Sequence, residues 1–129
     1  MEAEGTRMAT TADEILSKIL HVDKPWGNFE QYAHNQLCTV KILTVEANQV
    51  LSKQLHQSRD ELWIVVDPGL KIELDDAELL PQPYDRIVIP RKTKHRLAST
   101  GARGRVLEIS FGYFDEDDVE RFEDIYGRV

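Results

Sequence analysis

The segment SKQLHQSRDELW, residues 52–63, holds three side chains that could bind a metal ion. Gln54 and His56 are two positions apart, so on a β-strand both would point to the same side of the sheet. Glu61 follows a polar run, residues 57–60, that could turn the chain into a second strand. An amide oxygen, an imidazole and a carboxylate brought together in this way would begin a metal site.

A complete site needs a fourth ligand from another part of the chain. Of the four histidines, His95 is the best placed, because it follows IPRKTK, a short turn between two predicted strands. The four candidates would form a mixed nitrogen and oxygen site suited to zinc or another divalent first-row metal; they are Gln54, His56, Glu61 and His95. The spacing leaves a second interpretation open, in which His56 and His95 are hydrogen-bonded polar residues without an ion.

The strands that would position these ligands begin at about residue 37. From there the sequence is a series of short segments rich in β-branched residues and separated by turn formers. No helical segment lies between them, which argues against a parallel sheet and predicts an all-β sandwich or jelly-roll barrel. The predicted strands are LCTVKILTVE, VLSKQLH, ELWIVV, LKIEL, DRIVIP, KHRLAS and GRVLEISFG.

Helices are predicted at both ends of the chain. TTADEILSKIL has an apolar stripe, and Thr11 with Glu14 would form a capping box at its start. In FDEDDVERFEDIYGR the acidic first turn suits a helix start and Gly127 suits its end, so we predict a C-terminal helix over residues 114–127. Residues 1–10 lack any pattern and are predicted to be disordered; residues 11–129 are predicted to form a single domain.

The composition excludes several classes of function. The 129 residues carry a formal net charge of −7, which argues against broad binding to nucleic acid or to an anionic membrane. The single cysteine, Cys38, cannot form an intramolecular disulfide. No apolar run is long enough to cross a membrane, and the N-terminus lacks the apolar core of a signal peptide, so we expect a cytoplasmic protein.

Five segments in order along the chain share a pattern with one known family. They are KPWGNFE, VKILTV, LSKQLHQSRDELWIVV, VIPRKTKHRL and EISFGYFDEDDVERFEDIYGR. From about Lys24 to Arg128 the chain resembles the cupin domain of type II mannose-6-phosphate isomerases, which in bifunctional enzymes follows a guanylyltransferase domain. These 129 residues contain no counterpart of that second domain, so we expect a standalone cupin domain without nucleotide-sugar synthesis.

The resemblance implies an all-β cupin jelly-roll barrel and interconversion of mannose 6-phosphate and fructose 6-phosphate. It also implies metal binding, with zinc as the expected ion, by the four residues that the spacing had grouped. The residues that match the family's ligands are Gln54, His56, Glu61 and His95. A family arginine falls on Arg59, and the basic residue after the last histidine falls on Arg96.

Isomerisation of this kind moves a proton between adjacent carbons, so it needs a polarised carbonyl, a base and a cation for the phosphate. Arg59 and Lys41 are the predicted catalytic residues, and Arg96 is predicted to bind substrate, because its planar guanidinium suits a phosphate. Trp63 is predicted to stack on the sugar. For the cations the alternative is a surface salt bridge, and for Trp63 it is core packing.

A second function remains open: a non-catalytic cupin that binds a sugar or sugar phosphate. It is favoured by departures from the family's pattern, because Ser58 and Leu62 stand where the family has histidines. Lys92 and Pro68 likewise replace family glycines. Under either function the expected partner is a small-molecule sugar phosphate. Cupins often pair through their sheets, so a homodimer is expected.

Overall fold

The structure is a computed structural model that describes residues 10–128. The chain divides into two compact units, one ending at Gln36 and the other beginning at Leu37. The predicted disorder of residues 1–10 concerns residues that lie, apart from the last, outside the described part. The single domain over residues 11–129 stays a prediction, and the two units are described separately below.

The first unit opens with helix α1, Thr11–Ser17, as the sequence predicts, but the helix cap lies one residue earlier than predicted. The hydroxyl of Thr10 accepts a hydrogen bond from the amide of Asp13 at 3.0 Å, and the Asp13 carboxylate accepts from the Thr10 amide at 3.1 Å. The predicted box used Thr11 and Glu14. Two adjacent threonines offer the same cap, and the structure uses the first.

A β-hairpin follows that the sequence did not predict. Strand β1, Leu20–Lys24, pairs antiparallel with β2, Gly27–Gln31, along the full length of both strands. The prediction had assigned Leu20 to the apolar stripe of the helix, although α1 ends at Ser17. Short apolar runs at the end of a helical pattern are ambiguous between helix and strand, and here the pairing with β2 decides for strand.

The second unit contains two antiparallel sheets, which confirms the all-β prediction. The four-stranded sheet has the order β3-β10-β5-β8, and the five-stranded sheet has the order β11-β4-β9-β6-β7. In the described residues no strand belongs to both sheets, so the jelly roll is open rather than a closed barrel. The strands are β3 Cys38–Val45, β4 Lys53–Leu55, β5 Glu61–Val65, β6 Leu70–Leu74, β7 Ala77–Leu79, β8 Arg86–Ile89, β9 His95–Ser99, β10 Gly104–Phe111 and β11 Glu120–Glu123.

The core of this unit lies between the two sheets. Alternate residues of each strand point inward, and the buried apolar side chains of both sheets pack into one cluster. Its members are Val45, Trp63, Val65, Leu70, Ile72, Ile89, Leu97 and Val106. Along β5 and β10 the inward positions change from apolar to polar, at Glu61, Glu108 and Ser110, and these three side chains are buried. The same interior therefore provides both the core and the candidate site.

The predicted C-terminal helix over residues 114–127 is wrong. Residues 120–123 form strand β11, which pairs antiparallel with β4 at the edge of the five-stranded sheet. The acidic residues around it bond the local backbone instead of starting a helix: the Asp115 carboxylate accepts from the Asp117 amide, and the Asp124 carboxylate accepts from the Tyr126 amide. Such side-chain hydrogen bonds compete with the backbone hydrogen bonds of a helix. Pairing with β4 then provides backbone hydrogen bonds for residues 120–123.

In the described part of the chain, no helix is both long and apolar enough to cross a membrane.

Candidate metal centre

Three buried side chains bring possible metal ligands together at one end of the core. His56 lies just after β4, and Glu61 and His95 are the first residues of β5 and β9. The Nε2 atom of His56 lies 3.7 Å from Glu61 Oε1, and the Nε2 atom of His95 lies 3.9 Å from the same oxygen. The three ligand atoms lie within 4.8 Å of one another. Three of the four predicted metal ligands therefore converge.

Within the described residues, two of these ligand atoms have no hydrogen-bond partner. Glu61 Oε1 and His95 Nε2 are both buried and both unpaired. Buried polar atoms are nearly always hydrogen-bonded, because leaving one unpaired costs about 1–3 kcal/mol. A cation bound by His56, Glu61 and His95 would satisfy both atoms at once. The donor set, two imidazoles and a carboxylate, is one that zinc and related divalent metals accept.

Backbone carbonyls orient both imidazole rings for this role. His56 Nδ1 donates to the carbonyl oxygen of Asp118 at 2.7 Å, and His95 Nδ1 donates to that of Thr93 at 2.9 Å. A carbonyl oxygen can only accept, so the proton of each neutral ring lies on Nδ1. Nε2 of each ring is left as a lone-pair donor directed towards Glu61, as is usual for metal-bound histidines.

The Glu61 carboxylate is held in the same way. Its Oε2 atom accepts hydrogen bonds from Arg59 Nε and from the Ser110 hydroxyl, both at 3.1 Å. These bonds fix the plane of the carboxylate and leave Oε1 facing the two histidines. Glu61 and His95 are therefore each positioned by neighbours through one atom, whereas His56 is held through Nδ1 and its Nε2 also lies 3.3 Å from Arg59 Nη2.

Burial sets the charge of the centre. It lowers the pKa of His95 to about 4 and also lowers the pKa of His56, so both rings are neutral at neutral pH. Burial raises the pKa of Glu61, while the adjacent Arg59 guanidinium acts in the opposite direction. Neutral imidazoles are the form that binds metal, and a bound cation would also favour the ionised form of Glu61.

Gln54, the fourth predicted ligand, lies beside the centre. It is the register partner of His95 across β4 and β9, and directly opposed residues of an antiparallel pair lie on the same face. Its amide oxygen accepts a hydrogen bond from the Ser52 hydroxyl at 3.1 Å. A ligand role for Gln54 stays a prediction that would require this oxygen to serve two partners.

Arg59 and Lys41, the predicted catalytic residues, both lie over the ring of Phe114. The distance to the ring centroid is 4.5 Å from the Arg59 guanidinium carbon and 4.2 Å from Lys41 Nζ, close enough for cation–π attraction. Arg59 is buried and also donates to the carbonyl of Asp115, whereas Lys41 lies 3.7 Å from the exposed Glu116 carboxylate. Arg59 therefore belongs to the centre, and Lys41 lies at its solvent edge.

Trp63 forms a wall of the centre. Its side chain is 1% exposed, and its ring meets His95 edge-on with centroids 5.7 Å apart. The indole nitrogen donates to Glu108 Oε2 at 3.1 Å. This burial supports the core-packing interpretation of Trp63 over stacking on a sugar.

Glu108 is a buried carboxyl that the sequence analysis did not assign to the site. It lies between Trp63 and Lys41 in the register of the four-stranded sheet and faces the interior with both. Burial raises the pKa of Glu108 to about 7, and repulsion from Glu61 adds to the increase. The sequence held a signal for it: an acidic residue at an inward position of an apolar strand, two residues after Val106.

The structure does not bring Arg96 to the centre. Arg96 follows His95 on β9, so its side chain lies on the opposite face of the sheet. Its guanidinium donates to the Leu51 carbonyl at 2.9 Å and to the Glu123 carboxylate at 3.2 Å. These hydrogen bonds hold the Arg96 guanidinium away from the metal ligands.

Asp118 joins the tail to the centre. Its carboxylate accepts hydrogen bonds from the amides of Gln57 at 2.8 Å and Ser58 at 3.0 Å, and its backbone carbonyl accepts a hydrogen bond from His56 Nδ1. No local pattern could have predicted these contacts, because they join residues about 60 positions apart in the sequence. The tail segment is thus part of the support of His56.

Replacing Asp118 by alanine is expected to weaken metal binding. Without its carboxylate the tail loses its anchor on Gln57 and Ser58, and the carbonyl that orients His56 is no longer fixed. Loss of a group that supports a metal ligand typically weakens affinity about 10- to 100-fold. Competition with a chelator would measure the change, with Asp117→Ala as the control, because Asp117 is an exposed neighbour whose carboxylate holds no such anchor. Equal affinities in the two variants would contradict the prediction.

Two facing antiparallel sheets with histidine and glutamate donors between them define a cupin-type domain. Residues 11–124 match the family model described as "Mannose-6-phosphate isomerase C-terminal". The chain belongs to this family.

Curated relatives support the assignment. The chain is 38% identical over 110 residues to the alginate biosynthesis protein AlgA of Pseudomonas aeruginosa, a match that covers 84% of this chain and 23% of the relative. It is 38% identical over 111 residues to a mannose-1-phosphate guanylyltransferase of Escherichia coli, with the same coverage of 84% and 23%. The chain thus spans less than a quarter of the length of these relatives.

Solved structures share the fold. A dTDP sugar isomerase from Desulfovibrio desulfuricans aligns with a TM-score of 0.64 and 16% identity, over 84% of this chain and 82% of the other. The capsular polysaccharide assembling protein CapF from Staphylococcus aureus aligns with a TM-score of 0.62 and 14% identity, over 81% of this chain and 32% of the other. At these identities the likeness concerns the fold alone.

Proposed function

We propose that this protein is a metal-dependent sugar-phosphate isomerase that interconverts mannose 6-phosphate and fructose 6-phosphate. The proposal is supported by two buried ligand atoms that have no hydrogen-bond partner among residues 10–128, Glu61 Oε1 and His95 Nε2, in a member of the mannose-6-phosphate isomerase C-terminal family. His56, Glu61 and His95 would hold the ion, with Gln54 as the fourth ligand. Zinc is the expected ion, since it accepts imidazole and carboxylate ligands.

The metal would supply a Lewis acid that polarises the sugar's carbonyl group. The chain's own residues orient and charge the site around it. Arg59 places a buried positive charge against Glu61 and His56, where it can stabilise negative charge that develops on the substrate oxygens. Phe114 packs on Arg59 and limits the access of water to it.

Glu108 is the best-placed residue to move the proton between the two carbons. Its carboxyl faces the interior and is fixed through Oε2 by the Trp63 indole, next to Glu61. Lys41, which the sequence predicted to be catalytic, is less well placed to be the base, because its side chain is 37% exposed and close to the Glu116 carboxylate.

The non-catalytic alternative loses part of its support in this structure. Leu62, which replaces a family histidine, points away from Glu61 and is fully buried beside Ile109 and Val88 on the other face of the sheet. One contact favours the alternative: Arg59 Nη2 lies 3.3 Å from His56 Nε2, the atom that an ion would need. A site that binds sugar without metal could retain that contact.

A coupled assay with mannose 6-phosphate separates the two functions. The protein would be stripped with a chelator and assayed before and after addition of zinc, cobalt or manganese, with metal content measured in each sample. We expect one ion per chain and turnover that depends on it. Binding of mannose 6-phosphate without turnover in any metal would instead establish the alternative. Absence of both binding and turnover would overturn both functions.

The cytoplasmic location and the homodimer stay predictions of the sequence. Size-exclusion chromatography with light scattering would measure the oligomeric state.

A further inference from the structure

An arginine outside the predicted site shares a face of the five-stranded sheet with the metal ligands. Arg121 on β11 is the register partner of Gln54 on β4, and Gln54 is the register partner of His95 on β9. Directly opposed residues in antiparallel pairs lie on the same face, so the three side chains form one row on the inner side of the sheet.

The guanidinium of Arg121 is not satisfied within the described residues. Its Nε atom is buried and has no hydrogen-bond partner. An arginine at the surface can use water, but a buried guanidinium nitrogen without a partner is unfavourable. Its neighbour in the row, Gln54, uses its amide oxygen for Ser52 instead. The position therefore retains a buried donor without a partner among the described residues.

Three other cations near the site already have partners. Arg59 is bonded to Glu61 and to the Asp115 carbonyl. Lys41 lies close to Glu116 and over an aromatic ring. Arg96 is bonded to Glu123 on the outer face. In the described part of the chain, Arg121 thus combines an interior position with a free donor, which these three cations do not.

We propose that Arg121 binds the phosphate group of the substrate. The inference rests on the proposed function, because it takes a sugar phosphate as the ligand. Adjacent strands lie about 4.8 Å apart, so two strand spacings place the Arg121 backbone roughly 10 Å from that of His95. The sugar would lie across Gln54, with its carbonyl end at the metal ligands and its phosphate at the guanidinium, whose planar fork suits phosphate oxygens.

The test compares Arg121→Gln with the native chain, both loaded with metal. Isothermal titration would use mannose 6-phosphate, mannose and inorganic phosphate as separate ligands. Loss of hydrogen bonds to a charged group predicts binding of mannose 6-phosphate and of phosphate that is about 10- to 100-fold weaker, with binding of mannose unchanged. In the coupled assay the KM for mannose 6-phosphate should rise by a similar factor while kcat changes little.

Arg103→Gln is the matched control, because it removes the same charge from an exposed position of the same unit. Arg121→Lys provides a second variant that keeps the charge without the planar guanidinium. Its affinity for mannose 6-phosphate should fall between those of the native chain and Arg121→Gln. Thermal unfolding and metal content would show that both variants fold. Native affinity for mannose 6-phosphate in Arg121→Gln and Arg121→Lys would overturn the inference.

The outcomes also separate this inference from the proposed function. If the native chain turns over mannose 6-phosphate and Arg121→Gln keeps the native KM, the function stands and Arg121 is not the phosphate site. If the native chain shows no turnover but binds inorganic phosphate and Arg121→Gln loses that binding, the phosphate site stands and the isomerase function fails.

Discussion

Replacing His95 by alanine is expected to abolish stoichiometric metal binding and, with it, turnover. His95 supplies one of the three converging ligand atoms, and its Nε2 has no other partner in the described structure. Removing a supporting neighbour of a ligand weakens metal affinity about 10- to 100-fold, and removal of the ligand itself should exceed that range. Metal content after dialysis and the coupled assay would measure both losses.

Two variants serve as controls for this result. His34→Ala removes an exposed histidine of the first unit and should bind metal like the native chain. His95→Gln keeps much of the buried volume, so a loss of metal in both His95 variants would be due to the missing imidazole rather than to a cavity. A His95→Ala protein that still retains one ion per chain would refute the proposed centre.

The second large effect concerns the stability of the metal-free protein. Arg59→Ala removes the cation that bonds Glu61, a carboxylate that is fully buried. Breaking a buried ion pair at one partner typically destabilises a protein by about 3–5 kcal/mol, because the remaining charge loses its compensation. We therefore expect a decrease of this size in the free energy of unfolding, measured by urea denaturation in the presence of a chelator.

Bound metal should reduce the loss of stability in Arg59→Ala, because the ion would supply positive charge beside Glu61 in place of the guanidinium. The double variant Arg59→Met with Glu61→Gln should recover much of the stability, since no uncompensated charge remains. Arg91→Ala is the matched control: it breaks a pair with Asp60, but Arg91 is largely exposed, so its loss should be about 1 kcal/mol or less. Equal losses in Arg59→Ala and Arg91→Ala would show that burial does not strengthen the inner pair.

The sequence predicted seven of the nine strands described in the second unit, all but β7 and β11, because apolar alternation marks most of them. Segments such as LCTVKILTVE and GRVLEISFG correspond to β3 and β10, which lie next to each other in the sheet. The alternation reflects a physical requirement, since one face of each strand must enter the core. The short hairpin of the first unit lacks that requirement: β1 and β2 contain no buried residues, and no pattern identified them.

The tail was predicted wrongly for a related reason. Its apolar spacing and acidic start suit a helix, but the edge of the sheet beside β4 offers backbone pairing that a local pattern cannot reveal. The four candidate metal ligands were predicted because spacing and family resemblance pointed to the same residues, and the structure brings three of them together, His56, Glu61 and His95. The contacts of Asp118 and the proposed role of Arg121 were not predicted, because they depend on where the tail lies against β4.

The burial of Trp63 against His95 gives the centre a fluorescent reporter of its own. The chain has two tryptophans, and Trp26 is 72% exposed whereas Trp63 is 1% exposed. Emission from the two indoles should therefore separate by wavelength, with the bluer component arising beside the metal ligands. Ion binding at His95 would alter that component and leave the redder one as an internal reference. Occupancy of the site could then be followed by emission spectroscopy on the native protein, without any added dye.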